Sequence, residues 1–176
     1  MKKILFLFTA ALLLVIGCKK DEDTTVAPTT KDPIVGVWVS EGANVPYGLK
    51  VAPFKIIKIV ATFNENKSYT VVQTDSANVQ TTFTGTITYS ESQYSDTASA
   101  SVTKGAKIFD IVANQATPSV VTSTGIYAIS GTNMSYEIIQ TSPALGVNPP
   151  TPAKGFGSTS VGTTAYPIYI QHYVKQ

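Results

Sequence analysis

The chain has 176 residues, 43% of them apolar and 10% aromatic, too many for a disordered polypeptide and enough for one domain with its own core. Only 14% are charged, with one Cys (Cys18), one His (His172) and no Arg. Those counts exclude a site of several His and Cys metal ligands, a disulfide within the chain and guanidinium recognition of phosphate.

Met1-Lys2-Lys3 is a short cationic start, and Ile4–Ile16 is an apolar run too short to span a bilayer. Residues 1–17 therefore read as a signal peptide that is removed. With Lys2 and Lys3 gone, the 13 lysines fall to 11, against 11 acids, so the basic footprint of a nucleic-acid binder is absent. Val15-Ile16-Gly17-Cys18 resembles the lipobox of bacterial lipoproteins. The resemblance implies acyl chains on Cys18 and stable attachment to the outer membrane. Lys19-Lys20-Asp21-Glu22-Asp23 resembles the surface-export signal of lipoproteins from one group of Gram-negative bacteria; read simply as charge, it is a solvated spacer. Residues 18–32 are thus the lipidated Cys with a flexible tether, and residues 33–176 the folded domain.

The folded part reads as all-β, without a convincing amphipathic helix. Strands are expected at Ile34–Ser40, Phe54–Phe63, Ser68–Thr74, Val79–Ser90, Lys107–Asn114, Val120–Ser130, Met134–Thr141 and Ala165–Lys175. The Ser-rich stretch 91–103 is either a loop or a weak ninth strand. Asn64–Lys67 forms a hairpin loop in which Asn66 suits a left-handed conformation. In the last run Tyr166, Ile168, Ile170, His172 and Val174 share one face and Tyr169, Gln171 and Tyr173 the other. Thr82–Ser90 and Thr122–Ser130 echo one another, each with a Gly (Gly85, Gly125) where a strand bends. Two long segments, 41–53 and 142–164, are rich in Pro and Gly and read as loops; the second is either a lid over a barrel mouth or a loose crossover.

Three phrases carry a family resemblance. Gly36-Val37-Trp38 looks like the Gly-x-Trp opening of lipocalin barrels. Ala61–Thr70, with Phe63 and Tyr69 around the turn, and Gly125–Met134 resemble the two hairpins of lipocalin-like domains in Gram-negative surface lipoproteins. The resemblance implies a small antiparallel up-and-down barrel of about eight strands, with Trp38 plugging a closed end. The other end would hold a small apolar or amphipathic ligand. Lipocalins pack an arginine across that tryptophan, and this chain has no arginine.

The chemistry in the sequence is sparse. No nucleophile-elbow or phosphate-loop motif occurs, and Gly155-Phe156-Gly157 lacks the third glycine of a dinucleotide fingerprint, since position 160 is Ser. His172 could act as a general base, and Asp110 with Glu137 as a carboxylic pair. A packed histidine and hydrogen-bonded or water-facing acids explain them more simply, so no catalytic residue, metal ligand or cofactor is assigned. Tyrosine offers both a stacking face and a hydroxyl. Trp38, Tyr69, Tyr127, Tyr136 and Tyr169 are therefore the candidate ligand-binding residues of a membrane-anchored, non-covalent binding protein. The alternative is a solid barrel whose two long loops touch a protein or a surface glycan.

Overall fold

The computed structural model describes residues 32–176. The expected signal peptide, the lipidation site at Cys18 and all of the tether except Asp32 lie outside the described residues. Ten strands follow in chain order: β1 (Gly36–Glu41), β2 (Ile56–Phe63), β3 (Ser68–Asp75), β4 (Gln80–Ser95), β5 (Lys107–Thr117), β6 (Val121–Ser130), β7 (Asn133–Ser142), β8 (Ser160–Val161), β9 (Thr164–Ala165) and β10 (Gln171–Lys175). Strands β1 to β7 each pair with the next in sequence, and β10 closes the sheet between β7 and β1. All pairs are antiparallel. The result is a closed eight-stranded up-and-down barrel, which leaves no exposed edge in the main sheet. Strands β8 and β9 form a separate small hairpin.

Period-two alternation builds the core. The inward residues include Trp38, Ile59, Ala61, Phe63, Ile87, Ile111, Tyr127, Met134 and Tyr173, all buried. Among the described residues the buried core runs from Ile34 to Tyr173.

The end of the barrel bearing the β2–β3 and β6–β7 turns is plugged. Trp38 is completely buried and its indole N–H donates to the Ile34 carbonyl at 2.7 Å. Lys175 packs over it: its Nζ stands 5.0 Å from the centroid of the Trp38 ring and donates to the Pro33 carbonyl at 2.8 Å. The backbone two residues before Trp38 favours glycine by its positive φ. Gly36 has φ +137°, and a Cβ there would meet Lys175 Cε at 2.8 Å. Truncating Lys175 to alanine is expected to lower stability by about 0.5–1 kcal/mol, read from denaturant midpoints. Beside the plug, Phe109 stacks on Tyr127 at 5.0 Å and Tyr89 meets Tyr127 edge-on at 5.8 Å. Lys67 and the Tyr89 hydroxyl both bond to Asp32. Burial alone would raise the Asp32 carboxyl, but hydrogen bonds from Tyr89, the Ile34 N–H and Lys67, with the Lys67 charge, hold it below its usual value.

Four local expectations need correction. The last strand is much shorter than Ala165–Lys175: Pro167 starts a 3-10 turn over Pro167–Tyr169, and pairing resumes only at Gln171. Part of the Ser-rich stretch continues β4 to Ser95. In the β2–β3 turn the left-handed residue is Lys67 (φ 66°), while the Asn66 side chain accepts from the Ser68 N–H at 3.0 Å and from its hydroxyl at 2.7 Å. Segment 142–164 is neither a lid nor loose: Phe156 packs on outward-facing Ile108, Ile126 and Ala128 of the barrel wall.

Candidate functional site

The opposite end of the barrel opens into a cavity of about 410 Å³, within the range of small-molecule sites. Its deeper wall is apolar and aromatic, with Ile59, Phe63, Tyr69, Ile87, Tyr136 and Tyr173. Toward the mouth the lining turns to amides and hydroxyls, including Gln73, Gln115 and Gln140. Two of these are already engaged: Gln115 donates to the Ser119 carbonyl at 2.9 Å and Gln140 to the Pro143 carbonyl at 2.8 Å.

The cover comes from two places. One is a single helical turn, α1 (Tyr47–Lys50), within segment 41–53, which brings Pro46 and Leu49 to the cavity. The other is the 3-10 turn Pro167–Tyr169, which brings Tyr169. The two touch: a Cβ on Gly48 would lie 3.3 Å from Tyr169 Cε1. Sequence reading took residue 169 for part of a strand; the structure places it in the 3-10 turn, against the cavity.

Of the five candidate ligand residues, three line the cavity: Tyr69, Tyr136 and Tyr169. Trp38 and Tyr127 do not; they belong to the plug. Tyr136 and Tyr173 meet edge to face at 6.0 Å, and Phe63 tilts against Tyr69 at 6.5 Å. Burial raises the hydroxyl pKa of Tyr69, Tyr136 and Tyr173, so all three stay neutral at ordinary pH.

Sequence reading passed over Gln171. It is 7% exposed, lines the cavity beside Tyr173, and its Nε2 makes no hydrogen bond of ordinary geometry among the described residues. Ser40 Oγ, fully buried, is likewise without a partner. A buried donor without an acceptor is costly and is uncommon in folded proteins.

The three residues considered for catalysis lie on the outer wall. Asp110 is exposed there, its carboxyl raised somewhat by partial burial. Glu137 is completely buried. It accepts from the Gly157 N–H at 2.6 Å, the Thr159 N–H at 3.2 Å and the Thr159 hydroxyl at 2.5 Å. Both acids flank Ile126 in register, and Glu137 is occupied in holding segment 142–164.

His172 Nδ1 is 3.5 Å from Ser135 Oγ, which accepts from Thr103 at 2.8 Å. Thr103 also donates to buried Asp96 at 2.7 Å when its proton is turned that way, and Ser101 joins the same cluster. The chain of hydroxyls fastens loop 96–106 to β7 and β10. Burial pulls the His172 imidazole below its ordinary value, with the Asp96 charge opposing. A lowered native pKa means the unfolded chain takes up the proton first, so stability should fall as pH drops through about 6.5. Replacing His172 by asparagine is expected to flatten the melting-temperature profile between about pH 7 and pH 5, measured by circular dichroism.

Comparison with protein-family models, with curated proteins and with solved structures gives no match.

Proposed function

We propose that this protein is a lipocalin-like binding protein, anchored to the outer membrane by lipid on Cys18 and exposed at the cell surface, that holds a small apolar or amphipathic ligand non-covalently. The observation that carries the reading is the cavity of about 410 Å³ inside a barrel plugged at one end and covered at the other. A lumen lined by tyrosines and aliphatic side chains, with a few amides, favours an apolar body with a polar end.

A second reading has its own support. Loop tips around the mouth expose Tyr47, Val79, Val120 and Leu145 at 62%, 60%, 81% and 61%. Such tips suit contact with a protein or glycan partner.

Native mass spectrometry of residues 19–176, purified gently without the lipid, tests the first reading. A stoichiometric extra mass is expected. It should disappear in an Ala113→Trp variant, whose indole would fill the lumen. Persistence of the mass in that variant would place the ligand elsewhere, and a clean mass together with no uptake of added apolar probes would move the reading to the loop tips.

A further inference from the structure

We infer that the lumen selects an electrically neutral ligand, an apolar alcohol, ketone or ester, and rejects a carboxylate of the same size. The inference rests on the ligand-binding reading above and narrows its chemistry.

The first observation is charge. None of the residues lining the cavity is Lys, His, Asp or Glu. Two lysines are engaged at the plugged end: Lys67 on Asp32 and Tyr89, Lys175 on Trp38 and Pro33. The strand N–H groups are committed to the closed sheet. An ionised carboxylate entering this space would lose its water and gain no cation, an arrangement that proteins avoid. Neutral hydroxyls and amides are the only polar groups on offer.

The second observation is the Gln171 amide. It is buried, lines the lumen beside Tyr173, and its Nε2 makes no hydrogen bond of ordinary geometry among the described residues. The Tyr173 hydroxyl is the one neighbour the amide reaches, without a hydrogen bond of ordinary geometry. Tyr136, the residue opposite Gln171 in the β7–β10 pairing, has a hydroxyl that makes no hydrogen bond among the described residues. One ligand oxygen placed here would satisfy the amide and could also take a tyrosine proton. An unmet donor in a ligand cavity gives strong discrimination, because the analogue without the oxygen leaves it unmet.

The experiment uses residues 19–176, which contain every element of the barrel and its core. N-phenyl-1-naphthylamine, a neutral dye that brightens in apolar surroundings, is bound first and then displaced at neutral pH. The competitors are 1-decanol, methyl decanoate and sodium decanoate. Decanol and the ester are expected to displace the dye, with decanoate roughly tenfold weaker or more. Gln171→Leu should weaken decanol roughly tenfold while dye binding is kept. Tyr136→Phe, a smaller change, should move decanol in the same direction. Decanoate displacing as well as decanol would overturn the selection for neutrality. Unchanged decanol affinity in both variants would overturn the role of the polar pair. Failure of the dye and of every competitor to bind would overturn the ligand-binding reading itself, and the selectivity with it.

Discussion

Replacing Gly125 by alanine should cost the barrel about 4 kcal/mol or more and lower its melting temperature by roughly 10 °C. A Cβ at this position would lie 2.0 Å from the Glu137 carbonyl oxygen and 2.6 Å from Ile138 Cα, both backbone atoms of β7. No rotamer change relieves such a contact. The β6–β7 ladder must part locally, and the residues that would move include inward-facing Tyr136 and Ile138 on one side of the cavity. Gly85 meets β5 in the same way, 2.1 Å from the Asn114 carbonyl oxygen, and Gly85→Ala should be comparably damaging. Gly131 supplies the contrast. It sits in the β6–β7 turn at φ +59° with nothing within 4 Å of a Cβ, so alanine there should cost only about 1–2 kcal/mol of backbone strain. Thermal and urea unfolding of the three variants would check the order. Equal losses at Gly125 and Gly131 would mean that close strand approach is not what these glycines provide.

The echo between Thr82–Ser90 and Thr122–Ser130 was therefore legible, and for a physical reason: two strands of a small barrel meet the same crowding twice. Strand positions were legible for a similar reason, since β-branched and aromatic runs between turn residues have few other uses. Pro167 was a readable stop signal, yet the alternation of Tyr166, Ile168 and Ile170 around it imitated a strand. The candidate site was only half legible. Alternation tells which side chains point inward, and Tyr127 and Tyr136 both do. It does not tell what each meets inside: the two stand opposite one another in the β6–β7 pairing, yet Tyr127 packs on Phe109 and Tyr89 of the plug while Tyr136 packs on Tyr173 and lines the cavity. Gln171 carried a signal that went unused: an amide on the same face as Tyr173, next to a run of apolar residues. Glu137 was marked as embedded by Tyr136, Ile138 and Ile139, but what covers it comes from 20 residues further along, beyond local pattern.

The plug and the cavity divide the aromatic residues between two tasks. Trp38, Phe109 and Tyr127 fill one end tightly, so the empty volume gathers at the other, where tyrosines and amides replace aliphatic bulk. A domain that needed only stability would gain from closing that volume, since unfilled space forfeits packing contacts. It would gain again from an apolar residue in place of Gln171. Gln171→Leu is thus expected to raise the melting temperature while weakening the neutral ligand, a pairing typical of a site kept for binding.

Glu137 makes the opposite case, a buried charge that serves the scaffold. Removing it by Glu137→Ala is expected to cost about 3–5 kcal/mol, because the Gly157 and Thr159 N–H groups and the Thr159 hydroxyl lose a charged acceptor together. The effect should be local before it is global. Phe156, one residue from Gly157, would lose its hold on Ile108, Ile126 and Ala128, and segment 143–159 should become the first site of proteolytic cleavage. Thr159→Val, which removes only the hydroxyl donor, should cost about 1–2 kcal/mol and leave the segment protected. Ligand binding should survive both changes, since Glu137 lies on the outer wall and does not line the cavity. Limited proteolysis with dye binding on the same samples separates the two roles. Early cleavage with an intact lumen identifies Glu137 as the pin of the outer segment. A lumen lost together with the segment would show instead that the outer wall holds the cavity open.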